Sequence, residues 1–203
     1  MADARVAFEA AGAFLRGHFV YTSGRHGADY LEKFRILENP AATQALCGLI
    51  AEYFRPLRPQ LVAGPTTGGV ILAYEVARQL GLKAVYAERG ASGGRELRRG
   101  FEIELKARVL VVDDVVTTGG SLREMVSCIE HAGGEVIGVG VLADRTAGAA
   151  APAAPFFTCL TVDFPSYAPE ECPLCKAGVV VAPPRGSGKA SSPSHLRGGM
   201  GRG

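Results

Sequence analysis

The sequence predicts an open α/β fold, a mainly parallel sheet flanked by helices on both faces, and three observations carry that expectation. Continuously apolar, β-branched stretches alternate with helical ones through the middle of the chain, the pattern of strands buried on both faces. Glycine-rich turns follow two of the apolar stretches, where a strand hands over to a helix. A length of 203 residues with 47% hydrophobic and 21% charged side chains suits one compact domain with room for a small appended lobe.

The elements follow in order. Between Asp3 and Leu15, Val6, Phe8, Ala10, Ala11, Phe14 and Leu15 recur at helical spacing without proline, which predicts an amphipathic helix ending near Gly17. His18 to Phe34 sets aromatic and aliphatic residues around the turn-prone SGRHGAD, as in two short strands joined by a loop. Asn39 and Pro40 read as an N-cap and first helical position for a helix over 41–54 that stops before Pro56 and Pro59. Then come apolar Leu61 to Ala63, helical Val70 to Leu80, apolar Ala84 to Tyr86, apolar Val109 to Val112, helical Leu122 to Ala132 and apolar Val136 to Leu142. ERGASGGRELRRG, from Glu88 to Gly100, is glycine-rich and basic with no apolar face, and is expected to be a mobile loop. From about Pro183 the chain is rich in Gly, Ser, Pro and Arg, the composition of a disordered tail. The domain expectation is therefore 1–39 for the N-terminal helix and hairpin lobe, 40–182 for the core and 183–203 for the tail.

Composition excludes several classes. A net charge of +2 is too small for bulk binding to nucleic acid or membrane. The longest apolar runs, such as Val109 to Val112 and Gly178 to Ala182, are far too short to span a bilayer. The N-terminus lacks a basic region followed by a continuous apolar stretch, so a soluble, cytoplasmic protein is expected. Cysteines at 47, 128, 159, 172 and 175 are odd in number and scattered, unlike a disulfide framework. Cys172 and Cys175 form one CxxC; a structural zinc would need two more ligands, from a second subunit or from Cys159 and a histidine. A turn with reduced thiols is the reading the sequence favours, and no metal ligands are assigned.

VLVVDDVVTTGGS, Val109 to Ser121, carries the chemistry. Four apolar residues form a buried strand, and Asp113 and Asp114 arrive at its carboxyl end, where open α/β sheets bind ligands. Neighbouring strand residues point to opposite faces, so each carboxylate is able to accept from a different hydroxyl of a vicinal diol. Thr117, Thr118, Gly119, Gly120 and Ser121 follow, with hydroxyls and backbone N–H groups at a helix start, which favours a phosphate. Each half alone is also compatible with a strand end and an ordinary N-cap turn. Together they describe one ligand, with a diol at one end and a phosphate at the other. No lysine follows the glycines, so the segment is not a P-loop, nor is it GxGxxG.

This segment resembles the signature of the type I phosphoribosyltransferases, in which four apolar residues, two acidic residues and a Thr/Gly loop hold 5-phosphoribosyl-1-pyrophosphate (PRPP). The resemblance implies a type I phosphoribosyltransferase fold with a small N-terminal hood. It implies that Asp113 and Asp114 contact the ribose hydroxyls, while Val115, Val116, Thr117, Thr118, Gly119, Gly120 and Ser121 complete the PRPP site around the 5-phosphate.

Further segments resemble the orotate phosphoribosyltransferases in particular. GHFVYTSGRHGADYLEKF, Gly17 to Phe34, is similar to their hood, which implies Ser23, Gly24 and Lys33, with Thr117, as residues lining the base. LADRTAG places Arg145 where that family faces the substrate carboxylate, and a guanidinium is the planar fork that pairs with one. GPTTGGV places Thr66, Thr67, Gly68 and Gly69 at the pyrophosphate loop, without a lysine, so backbone N–H groups are expected to dominate. Arg89 aligns with the opening arginine of the family's basic loop. Its usual lysine and histidine are replaced, which leaves Arg95, Arg98 and Arg99 as the further cations and Arg89 and Arg95 as catalytic candidates. PEECPLCKAG looks like the C-terminal stretch of one bacterial and archaeal branch. The implied reaction joins phosphoribose to N1 of orotate in pyrimidine synthesis, with Mg²⁺ held mainly through PRPP and a homodimer sharing its active sites. A purine phosphoribosyltransferase and a non-catalytic PRPP sensor keep the same donor motif and remain alternatives.

Overall fold

In the computed structural model the described residues are 4–91 and 93–183; the expected disordered tail lies, apart from Pro183, outside them. The chain divides into two compact units, Met1–Leu15 with Leu31–Phe164, and Arg16–Tyr30 with Pro165–Gly203. Phe8, Ala13, Ile36 and Leu37 pack in one apolar cluster with Leu46, Ile50 and Phe54, so the N-terminal helix belongs to the core.

The first unit opens with α1 (Ala4–Ala10), shorter than the expected run to Gly17. Gly12, at φ 64°, closes it in a Schellman arrangement, Ala13 N donating to Phe8 O at 3.0 Å and Gly12 N to Glu9 O at 2.9 Å. Phe14 and Leu15, which extend the helical periodicity, instead begin β1 (Phe14–Val20), which pairs with β2 (His26–Leu31) in a two-stranded sheet. A short α2 (Phe34–Leu37) leads to α3 (Pro40–Phe54). As the sequence predicts, Asn39 caps α3, its side chain accepting from Ala42 N at 3.2 Å.

The alternating region forms β3 (Leu61–Pro65), α4 (Gly68–Leu80), β4 (Lys83–Arg89), β5 (Arg95–Leu97), β6 (Arg108–Val116), α5 (Gly120–His131), β7 (Glu135–Asp144) and β8 (Phe156–Thr161). One six-stranded sheet runs in the order β5-β4-β3-β6-β7-β8, parallel except for β5. Side chains of β6 alternate between its faces. Leu110 and Val112 join the apolar layer of α3 and α4, and Val109 and Val111 join that of α5 with Leu122, Met125 and Ile129. α3 rides close on β7 because Gly138 and Gly140 carry no Cβ, which would overlap Phe54 and Ile50.

Two differences from expectation stand out. Glu88 to Gly100 is not simply a mobile loop, since β5 pairs antiparallel with β4 in the register Ala87↔Leu97, Glu88↔Glu96 and Arg89↔Arg95. Gly93 and Gly94, at φ 92° and 71°, turn the chain between them. A three-residue edge strand needs no apolar face, so composition alone conceals it. β8 was assigned no element on sequence.

In the second unit, Tyr21 N donates to Arg25 O at 2.8 Å across the β1–β2 turn. The C-terminal chain is stitched to this hairpin by reciprocal bonds between His26 and Tyr167 at 2.8 and 2.9 Å and by Ala182 N to His18 O at 2.7 Å. α6 (Pro173–Lys176) spans the CxxC. No described helix is long and apolar enough to cross a membrane.

Candidate functional site

Strand order places the site. From β3 the chain winds outward through β4 and β5, then returns to β6 beside β3 and winds the other way through β7 and β8. The β3/β6 junction is therefore a topological switch point, and the loops after these strands open together at their carboxyl ends. Those loops are Thr66 to Gly69 and Thr117 to Gly120, the two singled out on sequence.

Asp113 and Asp114 sit within β6, which continues to Val116, and both are buried, at 7% and 4% exposure. Their carboxylates diverge as strand alternation requires. Asp113 accepts from Ser121 Oγ at 3.0 Å and from Asp114 N at 2.8 Å. Asp114 accepts from Val115 N at 2.7 Å and pairs with Lys33 Nζ at 2.7 and 2.9 Å. Burial first, and then the neighbouring Asp114 charge, push the Asp113 carboxyl up to about 6; bonds from Asp114 N and Ser121 and the Lys33 charge oppose them. Lys33, expected to line the base, pairs here with Asp114.

The loop after β6 is open. Thr117 and Thr118 are exposed, and Gly119, at φ 72°, is the N-cap of α5 with no side chain capping the first turn. Gly120 N donates to Thr118 Oγ1 at a long 3.5 Å, and a helix start of this kind favours an anion. The loop after β3 is closed in. A cis peptide joins Thr66 to Thr67, and Thr66 N donates to Ala87 O at 3.0 Å. A Cβ on Gly68 would overlap the Asp114 carboxylate and meet Leu37, so this loop reaches Asp114 only as glycine.

Arg95 joins the two loops. From β5 its guanidinium donates to Thr66 O and Thr66 Oγ1 at 3.2 Å and to Ser121 Oγ at 3.2 Å. Its Nε lies 3.6 Å from Glu124 Oε2, and the arginine side chain is only 8% exposed. Arg89 is exposed on β4 opposite Arg95 in the register. Arg98 and Arg99 are exposed and bonded to Glu96 and Glu88 at 2.9 and 2.8 Å. Glu124 escaped the sequence reading. The signal was its spacing, three residues after Ser121 on α5, which puts both on one helix face.

Arg145 follows β7, its N–H bonded to Val116 O at 2.9 Å and its guanidinium 5.5 Å from the centre of the Phe164 ring. The adjacent, buried Asp144 accepts from Thr146 N, Thr146 Oγ1 and Gly148 N at 2.7 to 2.8 Å. Ser23 and Gly24 occupy the exposed β1–β2 turn of the second unit.

A carboxylate pair beside a glycine-led helix start at a switch point suits a sugar phosphate, and the fold is that of the phosphoribosyltransferases. A family model described as a phosphoribosyl transferase domain matches residues 34–168. The chain is 45% identical over 177 residues to an orotate phosphoribosyltransferase of Caldanaerobacter subterraneus, covering 87% of this chain and 93% of that one. It is 46% identical to one of Pelotomaculum thermopropionicum, with the same coverage. Among solved structures, orotate phosphoribosyltransferase from Aeropyrum pernix is similar with a TM-score of 0.65 and 28% identity, over 78% of this chain and 93% of that one. The chain belongs to the phosphoribosyltransferase family, among the orotate phosphoribosyltransferases.

Proposed function

We propose that the protein transfers the phosphoribosyl group from PRPP to N1 of orotate, giving orotidine 5-monophosphate and pyrophosphate. The supporting observation is the likeness to orotate phosphoribosyltransferases across 87% of the chain, together with the buried carboxylates of Asp113 and Asp114 near the carboxyl end of β6. The bond from ribose C1 to the pyrophosphate oxygen breaks as the bond to N1 forms, positive charge develops transiently on the ribose ring, and N1 gives up its proton to the departing pyrophosphate or to solvent. Asp113 and Asp114 accept the ribose hydroxyls, and N–H groups from Thr117 to Ser121 take the 5-phosphate. The N–H groups of Thr67 to Gly69 take the leaving pyrophosphate. Positioning supplies most of the acceleration in such a site.

Arg145 is assigned to the orotate carboxylate, which a guanidinium pairs bidentately. Lys33 serves the donor end in this reading, through Asp114, and the assignment of Ser23 and Gly24 to the base rests on family likeness alone. Arg95 acts by holding Thr66 against Ser121, and Arg89 is exposed at the end of β4. The carboxylates at this edge are hard oxygen donors already engaged by Lys33, Ser121 and backbone N–H groups. Mg²⁺ would therefore be held largely by donor oxygens, where it supplies charge neutralisation to the departing pyrophosphate. A cytoplasmic homodimer belongs to the same reading.

The test is loss of orotate absorbance on mixing protein, PRPP and Mg²⁺. Consumption of adenine, guanine or xanthine instead would make it a purine enzyme. PRPP binding without turnover of any base would make it a sensor.

A further inference from the structure

The second unit carries a cluster that the transfer reaction does not use. His18, His26, Cys172 and Cys175 each offer one ligand atom, and these atoms all lie within 4.8 Å of one another. They come from two stretches of chain more than 140 residues apart, the β1–β2 hairpin and the CxxC turn. None of the five cysteines is in a disulfide. We infer that these four side chains form a structural Cys₂His₂ zinc site that clasps the C-terminal segment to the hairpin.

The geometry is that of a tetrahedral shell. Zn–S bonds near 2.3 Å and Zn–N bonds near 2.05 Å at tetrahedral angles put sulfur about 3.6 Å from nitrogen and the two nitrogens about 3.4 Å apart. The observed S···N distances are 3.6 Å from Cys172 Sγ to His18 Nε2, 3.6 Å from Cys175 Sγ to His18 Nε2 and 3.3 Å from Cys175 Sγ to His26 Nδ1. His18 Nε2 and His26 Nδ1 stand 2.9 Å apart, slightly inside the zinc-bound spacing.

The outer contacts agree. His18 Nδ1 lies 2.7 Å from Val179 O; a carbonyl only accepts, so Nδ1 donates and Nε2 is the ring nitrogen turned toward the cluster. That is the orientation an outer-shell partner imposes on a zinc-bound imidazole. The unit also needs a staple. Phe19 and Cys172 are the buried hydrophobic residues among its described members, and a lobe with so little apolar core is of the kind metals stabilise. Two thiolates and two imidazoles in a tetrahedron select zinc over hard cations. Cys159, the partner considered on sequence, is engaged elsewhere, 3.5 Å from Leu46 O.

Metal analysis of the full-length protein, purified reduced and without chelator, tests the inference and depends neither on activity nor on orotate being the base. About one zinc per chain is expected, and Co²⁺ in its place should give the visible and near-ultraviolet bands of a tetrahedral dithiolate site. Cys172→Ser and Cys175→Ser should each lower retained zinc roughly tenfold or more, since even outer-shell losses reach that size. Cys128→Ser should not. Should those serine variants fail to fold, His26→Cys offers a conservative ligand set; it should keep the zinc and strengthen the thiolate-to-cobalt absorption. Removing zinc from the wild type should raise protease sensitivity between 165 and 183. Wild-type protein with only trace zinc and no cobalt spectrum, stoichiometric iron instead, or a Cys172–Cys175 disulfide after reducing purification would overturn the assignment.

Discussion

Two glycine-bearing loops end neighbouring strands of one sheet, yet they differ in what they leave free. The loop after β6 keeps Thr117 and Thr118 exposed and starts α5 from a glycine N-cap. The loop after β3 is pressed against Asp114 through Gly68 and latched by Arg95 through Thr66. Similar composition thus serves two purposes. One loop is ready to wrap a phosphate, and the other is held in place to define where a second anion sits. What distinguishes them is the neighbour across the switch point, because Asp114 and Arg95 reach the β3 loop from other elements.

The comparison is most severely tested at the carboxylates that stand between the loops. Asp113→Asn or Asp114→Asn should lower kcat/KM for PRPP roughly 100-fold, since charge-assisted hydrogen bonds are worth about 1.5–3 kcal/mol each. Steady-state kinetics with folded variants measure it, and a loss under threefold would remove the carboxylates from the donor site. Arg145→Ala lies outside both loops and should separate base from donor. The orotate KM should rise by roughly tenfold or more while the PRPP KM changes little, from the same charge-assisted magnitude; equal losses would take Arg145 off the base.

Gly68→Ala attacks the closed loop directly. Its Cβ would overlap the Asp114 carboxylate, so a destabilisation of about 1–3 kcal/mol is expected. Thermal melting reads it, and the equivalent Gly120→Ala change, with only Thr118 Oγ1 nearby at 3.6 Å, should cost less. Arg95→Ala should loosen the latch and leave Glu124 without its ion pair, with a smaller loss of about 1–2 kcal/mol. Arg95→Lys should recover part of the stability, and an alanine variant as stable as wild type would dissolve the latch.

A further test is pH. The Asp113 carboxyl is raised from 3.8 to about 6 in the folded chain, so between those values the native state binds more protons than the unfolded one. Stability from this group is therefore full below about pH 4 and declines as pH rises to about 6. Denaturation of wild type against Asp113→Asn should show the difference drifting toward the variant by on the order of 2 kcal/mol across that window. A drift in the opposite sense would mean that Ser121 and Lys33 outweigh burial.

Much of this protein was legible locally. Continuous apolar strands, the Asn39 cap and the order of residues in VLVVDDVVTTGGS are short-range properties, and alternation along β6 already required Asp113 and Asp114 to diverge. Elements whose identity depends on a neighbour were not legible. The β5 edge strand exists because β4 offers it a register, and Phe14 is a strand residue because Gly12 ends the helix behind it.

The sequence by itself determined the α/β class and the donor motif, because periodicity and turn chemistry act over a few residues. Only the tertiary structure decided that Lys33 meets Asp114, that Arg95 bridges Thr66 and Ser121, and that two histidines stand beside the CxxC turn. Such contacts join positions dozens to more than a hundred residues apart, and it is the strand order and the folding of the chain upon itself that bring them within bonding distance.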